Sequence, residues 1–106
     1  MLPRAIFDFV DGGAGDEVTL RRNESDFDAL SLLPRPLNGA AERDMSITLF
    51  GQKLSMPLMV APTGLAGLLW PDGEAASARA AAAAGTAYCL SHGSVCTLEA
   101  LAGTGQ

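Results

Sequence analysis

Met56-Pro57-Leu58-Met59-Val60-Ala61-Pro62-Thr63-Gly64 is a run of apolar side chains that stops at a proline and opens into small residues. The apolar part reads as a short buried strand. Pro62 ends its ladder because it has no N–H, Gly64 has no Cβ to hold a ligand away, and Thr63 offers a hydroxyl between them. A strand leaving its sheet in this way exposes backbone at its carboxyl end to a flat ligand. Pro and Gly also punctuate ordinary strand ends, so the run alone leaves a plain exit open as the second reading.

Downstream of this run, Pro62 to Pro71 reads as a loop, and Asp72-Gly73-Glu74 leads into an alanine-rich helix closed by Gly85. Thr86 to Leu90 is the next expected strand, followed by a short helix over 97–102 that Thr97 can cap. Strand, helix, strand, helix implies parallel strands with right-handed crossovers, and strand exits that floor a ligand are what a βα barrel builds. Upstream, residues 3–11 read as a helix with Leu2, Ile6, Phe7, Phe9 and Val10 at near-helical spacing, ended by Gly12-Gly13. A second helix is expected from Asp16 to Leu30, with Val18, Leu20, Phe27 and Leu30 facing inward. Leu33-Pro34-Arg35-Pro36 forces extended chain. A hairpin follows, Ser46 to Phe50, a Gly51-Gln52 turn and a return at Lys53-Leu54-Ser55, read as a plug or lid outside the parallel sheet.

The fold class expected is therefore α/β, the amino-terminal part of a (β/α)8 barrel. Residues 1–55 form a helical and hairpin extension and residues 56–106 the first two βα units. A complete barrel takes about 250 residues, so 106 residues read as a piece of something larger. The chain is 48% hydrophobic and 18% charged, with a net charge of −5. That balance argues against a nucleic-acid surface, which needs clustered Lys and Arg, and only Arg21-Arg22 adjoin here, flanked by Glu17, Glu24 and Asp26. The first residues lack the apolar core of a signal segment, and Ala75 to Ala84 is interrupted by Ser77 and Arg79. Cys89 and Cys96 have no partner at metal-ligand spacing and read as reduced thiols. The expected location is the cytoplasm, which leaves room for peripheral attachment at the inner membrane face without indicating it.

Separated segments of the chain resemble one family. Leu2-Pro3-Arg4-Ala5-Ile6-Phe7-Asp8-Phe9-Val10-Asp11-Gly12-Gly13-Ala14-Gly15-Asp16-Glu17, Asn23, Met56-Pro57, Ala61-Pro62-Thr63-Gly64, Trp70-Pro71-Asp72-Gly73-Glu74, Ala78-Arg79-Ala80-Ala81 and Leu90-Ser91 are similar to the amino-terminal third of the FMN-dependent α-hydroxy-acid dehydrogenases and oxidases. The stretch 62–71 is most similar to their mandelate dehydrogenase branch. The resemblance implies a TIM barrel that binds FMN and oxidises an L-2-hydroxy acid, a small molecule, to a 2-keto acid, in a full-length protein that is a homo-oligomer. It assigns Pro62, Thr63 and Gly64 to the flavin ring and Ser91 to a hydrogen bond at its edge. A flavin that takes up two electrons calls for donors near its polar edge, and a hydroxyl and an open backbone N–H supply them without a charge.

Two departures from the family concern the substrate. Where the family carries a tyrosine whose hydroxyl binds the substrate carboxylate, this chain has Phe9, so one donor is absent; Phe9 reads either as an apolar substrate wall or as helix packing. Two residues after Ser91, where short-chain oxidases of the family often carry a bulky aromatic, stands Gly93. It either leaves room for a bulky or aromatic acid, mandelate-like, or is a turn glycine. Trp70-Pro71 is open between a flavin-covering wall and a packing anchor.

The resemblance puts the catalytic histidine, the arginine pair and a lysine beyond Gln106, so no catalytic residue is assigned within this chain. His92 is read as a partly buried structural histidine near a strand end. Gly12-Gly13-Ala14-Gly15 follows a helix rather than a strand and lacks both the last spaced glycine of a dinucleotide fingerprint, Val18 standing there, and the Lys-Ser/Thr of a phosphate loop, so both readings are rejected. Asp8, Asp11, Asp16 and Glu17 read as a solvated face, and no metal site is assigned. The competing reading of the chain is a truncated, non-catalytic fragment that acts at most as an interaction or assembly module, because two barrel strands leave open parallel edges.

Overall fold

A computed structural model describes residues 2–37, 39 and 41–103. The chain divides into two compact units, Met1–Ala41 and Glu42–Gln106. The hairpin thus groups by contacts with the strands that follow it, whereas a boundary at 55/56 follows the order of barrel strands.

In the first unit, α1 (Arg4–Asp11) begins after Pro3, whose carbonyl accepts from the N–H groups of Ile6 and Phe7 at 3.0 Å each. Pro3 suits this place, since its missing N–H would find no partner in a first turn. The helix ends as Gly12 N–H donates to the Asp8 carbonyl at 3.1 Å. The Glu17 carboxylate reaches back to accept from Gly13 N–H at 3.1 Å, and α2 (Val18–Asp28) follows. A Cβ on Gly13 would lie 2.9 Å from Leu20 Cβ, so the glycine lets the loop close on α2. Val18, Leu20, Phe27 and Leu30, expected to face inward, are all exposed, Phe27 by 74% and Leu30 by 72%. Spacing correctly puts such residues on a helix face but does not supply what covers that face.

In the second unit, β1 (Ile47–Leu49) pairs antiparallel with β2 (Gln52–Leu54), with Leu49 opposite Gln52. The turn is therefore Phe50-Gly51 rather than Gly51-Gln52. Both its residues have positive φ, 51° and 81°, the arrangement that matches the twist of a two-residue hairpin. Leu54 is buried at the hairpin's end. Beyond it, Ser55 N–H donates to the Gly85 carbonyl at 2.8 Å and Ser55 Oγ–H to the Ala84 carbonyl at 2.6 Å, which ties the hairpin exit to the end of the alanine helix. Gly85, at φ 68°, is also in close quarters: a Cβ there would meet Ser55 at 3.0 Å.

The strands β3 (Met59–Val60) and β4 (Ala87–Tyr88) are parallel, with Met59 opposite Ala87 and Val60 opposite Tyr88. Both are shorter than the apolar runs that announce them. Within the stretch read as a loop, Ala66–Leu69 makes a single helical turn, α3, before α4 (Gly73–Ala83). Asp72 takes left-handed φ, 52°, and makes no capping bond with its side chain, so it turns the chain into α4 through its backbone rather than as the expected side-chain cap. The buried face of α4 is Gly73, Glu74, Ala78 and Ala81. A Cβ on Gly73 would collide with the Ala66 carbonyl, so glycine there allows α3 to lie on α4. After β4, Thr97 Oγ1 accepts from Ala100 N–H at 3.2 Å and caps α5 (Leu98–Ala102).

None of the described helices is long and apolar enough to cross a membrane.

Candidate functional site

Parallel pairing brings the carboxyl ends of β3 and β4 to one edge, and two exit segments meet there. Cys89 N–H still donates to the Val60 carbonyl at 3.1 Å, after which both chains leave the ladder. Leu65, held at φ 61°, turns its N–H onto the Gly93 carbonyl at 3.0 Å. This bond joins the exit of β3 to that of β4. A Cβ on Gly64 would lie 3.5 Å from the Gly93 carbonyl oxygen and 3.7 Å from Ser91 Oγ, so Gly64, Ser91 and Gly93 form one small-residue surface.

The polar groups of this surface are neutral. Ser91 Oγ accepts from Gly93 N–H at 3.1 Å, and Ser94 N–H donates to the Ser91 carbonyl at 3.2 Å, which holds the segment in a tight turn. Accepting through its lone pair leaves Ser91 its hydroxyl proton to donate. Thr63 Oγ1 donates to the Ala61 carbonyl at 3.4 Å, and Pro62 and Thr63 are exposed. Between residues 61 and 72 and between 89 and 97, Asp72, His92 and the thiols of Cys89 and Cys96 are the only titratable side chains, and there is no Lys or Arg. Small residues, a serine hydroxyl and backbone groups without fixed charge suit the edge of a flavin ring. They do not suit its phosphate, which calls for Lys, Arg or a helix N-terminus.

The residue that sequence reasoning missed is Glu74. Its side chain is only 2% exposed, the one buried polar or charged residue among those described. Glu74 Oε1 accepts from Val95 N–H at 3.2 Å. Burial pushes its carboxyl pKa up, but the N–H groups of Gly67, of Glu74 itself and of Val95 outweigh burial and hold it below the usual 4.5. Three donors around one carboxylate favour the charged form. Gly67 makes this possible, since a Cβ there would lie 2.5 Å from Glu74 Oε2 and against the Val95 side chain. The signal was present in the sequence: Glu74 stands four and seven residues before Ala78 and Ala81, on the small-residue face that packs inward. Nearby, burial first and then the Glu74 carboxylate raise the Tyr88 hydroxyl above its usual 10.0.

The remaining candidates are dispersed. Phe9 belongs to α1 in the first unit and is 74% exposed. Trp70, 70% exposed, lines an apolar cavity of about 300 Å³ with Thr63, Ala66, Leu69, Ala76 and Ser77. His92 is exposed rather than partly buried, because the turn held by Ser91 and Gly93 carries it outward. Cys89 and Cys96 are free, and among the described residues no three His, Cys, Asp or Glu side chains converge as a metal site would require.

Comparison with known proteins gives this geometry a context. The family model described as FMN-dependent dehydrogenase matches residues 1–106. The chain is 44% identical over 104 residues to glycolate oxidase 1 of Oryza sativa subsp. indica, covering 98% of this chain and 28% of that protein. It is 47% identical over 97 residues to the L-lactate dehydrogenase of Bartonella quintana, covering 92% of this chain and 25% of that one. Among solved structures, a soluble mutant of the membrane-associated (S)-mandelate dehydrogenase from Pseudomonas putida superposes with a TM-score of 0.83 at 38% identity, covering 99% of this chain and 30% of that one. The chain thus spans little more than a quarter of the length of the curated relatives it matches.

Proposed function

The chain belongs to the FMN-dependent dehydrogenase family, and we propose on that premise that the full-length protein oxidises an L-2-hydroxy acid to the 2-keto acid, preferring bulky or aromatic acids such as mandelate. Bound FMN would take up the two electrons that the hydroxy acid loses with its two protons. The residues of this chain would contribute ring contacts and donors: Pro62, Thr63 and Gly64 as a low floor, and Ser91 as a neutral hydrogen-bond donor at the ring's edge. The catalytic proton transfer and the clamping of the carboxylate would belong to residues outside this chain.

One observation carries the reading. The bond between Leu65 N–H and the Gly93 carbonyl makes a single neutral, small-residue surface of the two strand exits, in a chain that matches the family along its whole length. The preference for a large acid rests on Gly93, whose missing side chain leaves volume beside Ser91, and on Phe9, an apolar residue where the family resemblance leads one to expect a phenol. The mandelate dehydrogenase likeness agrees with it, whereas the glycolate oxidase and lactate dehydrogenase likenesses favour no large acid. Anaerobic mixing of the full-length, FMN-loaded protein with (S)-mandelate or glycolate, followed by flavin absorbance, tests both levels. Bleaching by mandelate faster than by glycolate is expected. Bleaching by neither refutes the reaction, and faster bleaching by glycolate refutes the preference.

A further inference from the structure

We propose that Glu74 is a positioning residue whose buried carboxylate pins together the two strand-exit segments that meet the flavin. The assignment rests on the FMN reading above. The carboxylate sits at the start of α4 and touches both exits: Oε1 accepts from Val95 N–H in the segment after β4 at 3.2 Å, and Oε2 lies so close to Gly67 in α3 that a Cβ there would be 2.5 Å from it. Gly67 lies three residues after Gly64, and Val95 lies two after Gly93. Between these anchor points, among the described residues, the other bond across the two exits is that of Leu65 N–H to the Gly93 carbonyl. Without the carboxylate, that bond alone would tie the two exits to each other between these points.

A structural carboxylate of this kind has no obvious reason to be buried for stability alone, because a buried charge costs more than an apolar side chain of the same volume unless every donor is well placed. What it supplies is direction. One oxygen held by Val95 N–H and the other seated against Gly67 set the position of the β4 exit relative to α3, which a layer of alanines does not. Gly67 serves the same arrangement from the other side, having no Cβ to displace Oε2.

The test uses the full-length protein and three variants. Glu74→Gln keeps the shape but turns an amide NH2 toward an N–H donor, so at least one donor loses its partner. Gly67→Ala leaves the charge and pushes on Oε2. Leu54→Ala removes a buried side chain from the hairpin and serves as the control for lost stability in general. The readouts are the FMN dissociation constant of each apoprotein and the visible circular dichroism of the bound flavin, which reports how the ring is seated. Glu74→Gln and Gly67→Ala should both weaken FMN binding by about tenfold or more and alter the flavin dichroism. Leu54→Ala should lower the thermal midpoint with both flavin readouts at parental values. Parental flavin readouts in Glu74→Gln and Gly67→Ala overturn the assignment. So does loss of the fold in both, since the carboxylate would then serve the whole fold rather than the two exits. A parent protein that binds no FMN would instead refute the functional reading on which the assignment rests.

Discussion

Ser91 is held by its own turn, with Gly93 N–H on its Oγ, and keeps a proton to give. A hydroxyl held in this way contributes little to packing. Ser91→Ala in the full-length protein should therefore leave the thermal midpoint nearly unchanged. It should slow flavin reduction by about tenfold to a hundredfold, the equivalent of roughly 1–3 kcal/mol for one hydrogen bond in a desolvated site. Rapid-mixing absorbance measures it, and an unchanged rate would remove Ser91 from the site. Gly93 makes the complementary prediction about volume. Gly93→Trp should fill the space beside Ser91 and shift kcat/KM from mandelate toward glycolate by about tenfold to two-hundredfold, or roughly 1–3 kcal/mol of apolar contact. A ratio that stays at the parental value would leave Gly93 as a turn residue.

Among the elements, α4 carries both the clearest sequence signal and the largest omission. Its alanines, its Gly85 stop and its length are legible because helix propensity and a left-handed C-terminal glycine are local properties. Glu74 was legible as a helix-start residue in register with Ala78 and Ala81, but not through the partners that hold its carboxylate. Its burial depends on Gly67 and Val95, seven and twenty-one residues away, and local pattern does not reveal where such distant N–H groups converge. The folded-state pKa of Glu74 lies below its usual value, so its contribution to stability is complete above the unfolded pKa and disappears as pH falls through the folded one. The gap in thermal midpoint between the parent and Glu74→Gln should accordingly be widest near neutral pH and shrink in acid, below about pH 4.5. A gap independent of pH would mean that the side chain's shape, not its charge, matters. The α5 cap is a smaller term: Thr97→Ala should cost about 1 kcal/mol by denaturant titration.

For the whole molecule, the alternation of strand and helix after residue 56 was readable apart from the single turn α3, because crossover connections leave few topologies to choose from. The inward faces of α1 and α2 were not, since amphipathic spacing names a face and not its cover. Among the described residues, the buried apolar ones are Leu54, Ala78, Ala81 and Leu101, while Leu32 is 97% and Leu33 86% exposed. So small a core supplies little stability by itself, and the strand exits hold no Lys or Arg for a phosphate. The isolated 106-residue chain should therefore quench free FMN fluorescence weakly and without saturation at stoichiometric ratios. Tight stoichiometric quenching would reveal a more complete site than two strand exits provide.

On the proposed function, the flavin would lie on the surface formed by the joined exits of β3 and β4. A crystal structure of the full-length protein with FMN tests it most directly. The ring should lie against the backbone of Pro62, Thr63 and Gly64, with Ser91 Oγ about 3 Å from a polar atom of the ring, within hydrogen-bond reach. A ring seated away from both exits, or with Ser91 Oγ turned from it, would contradict the account.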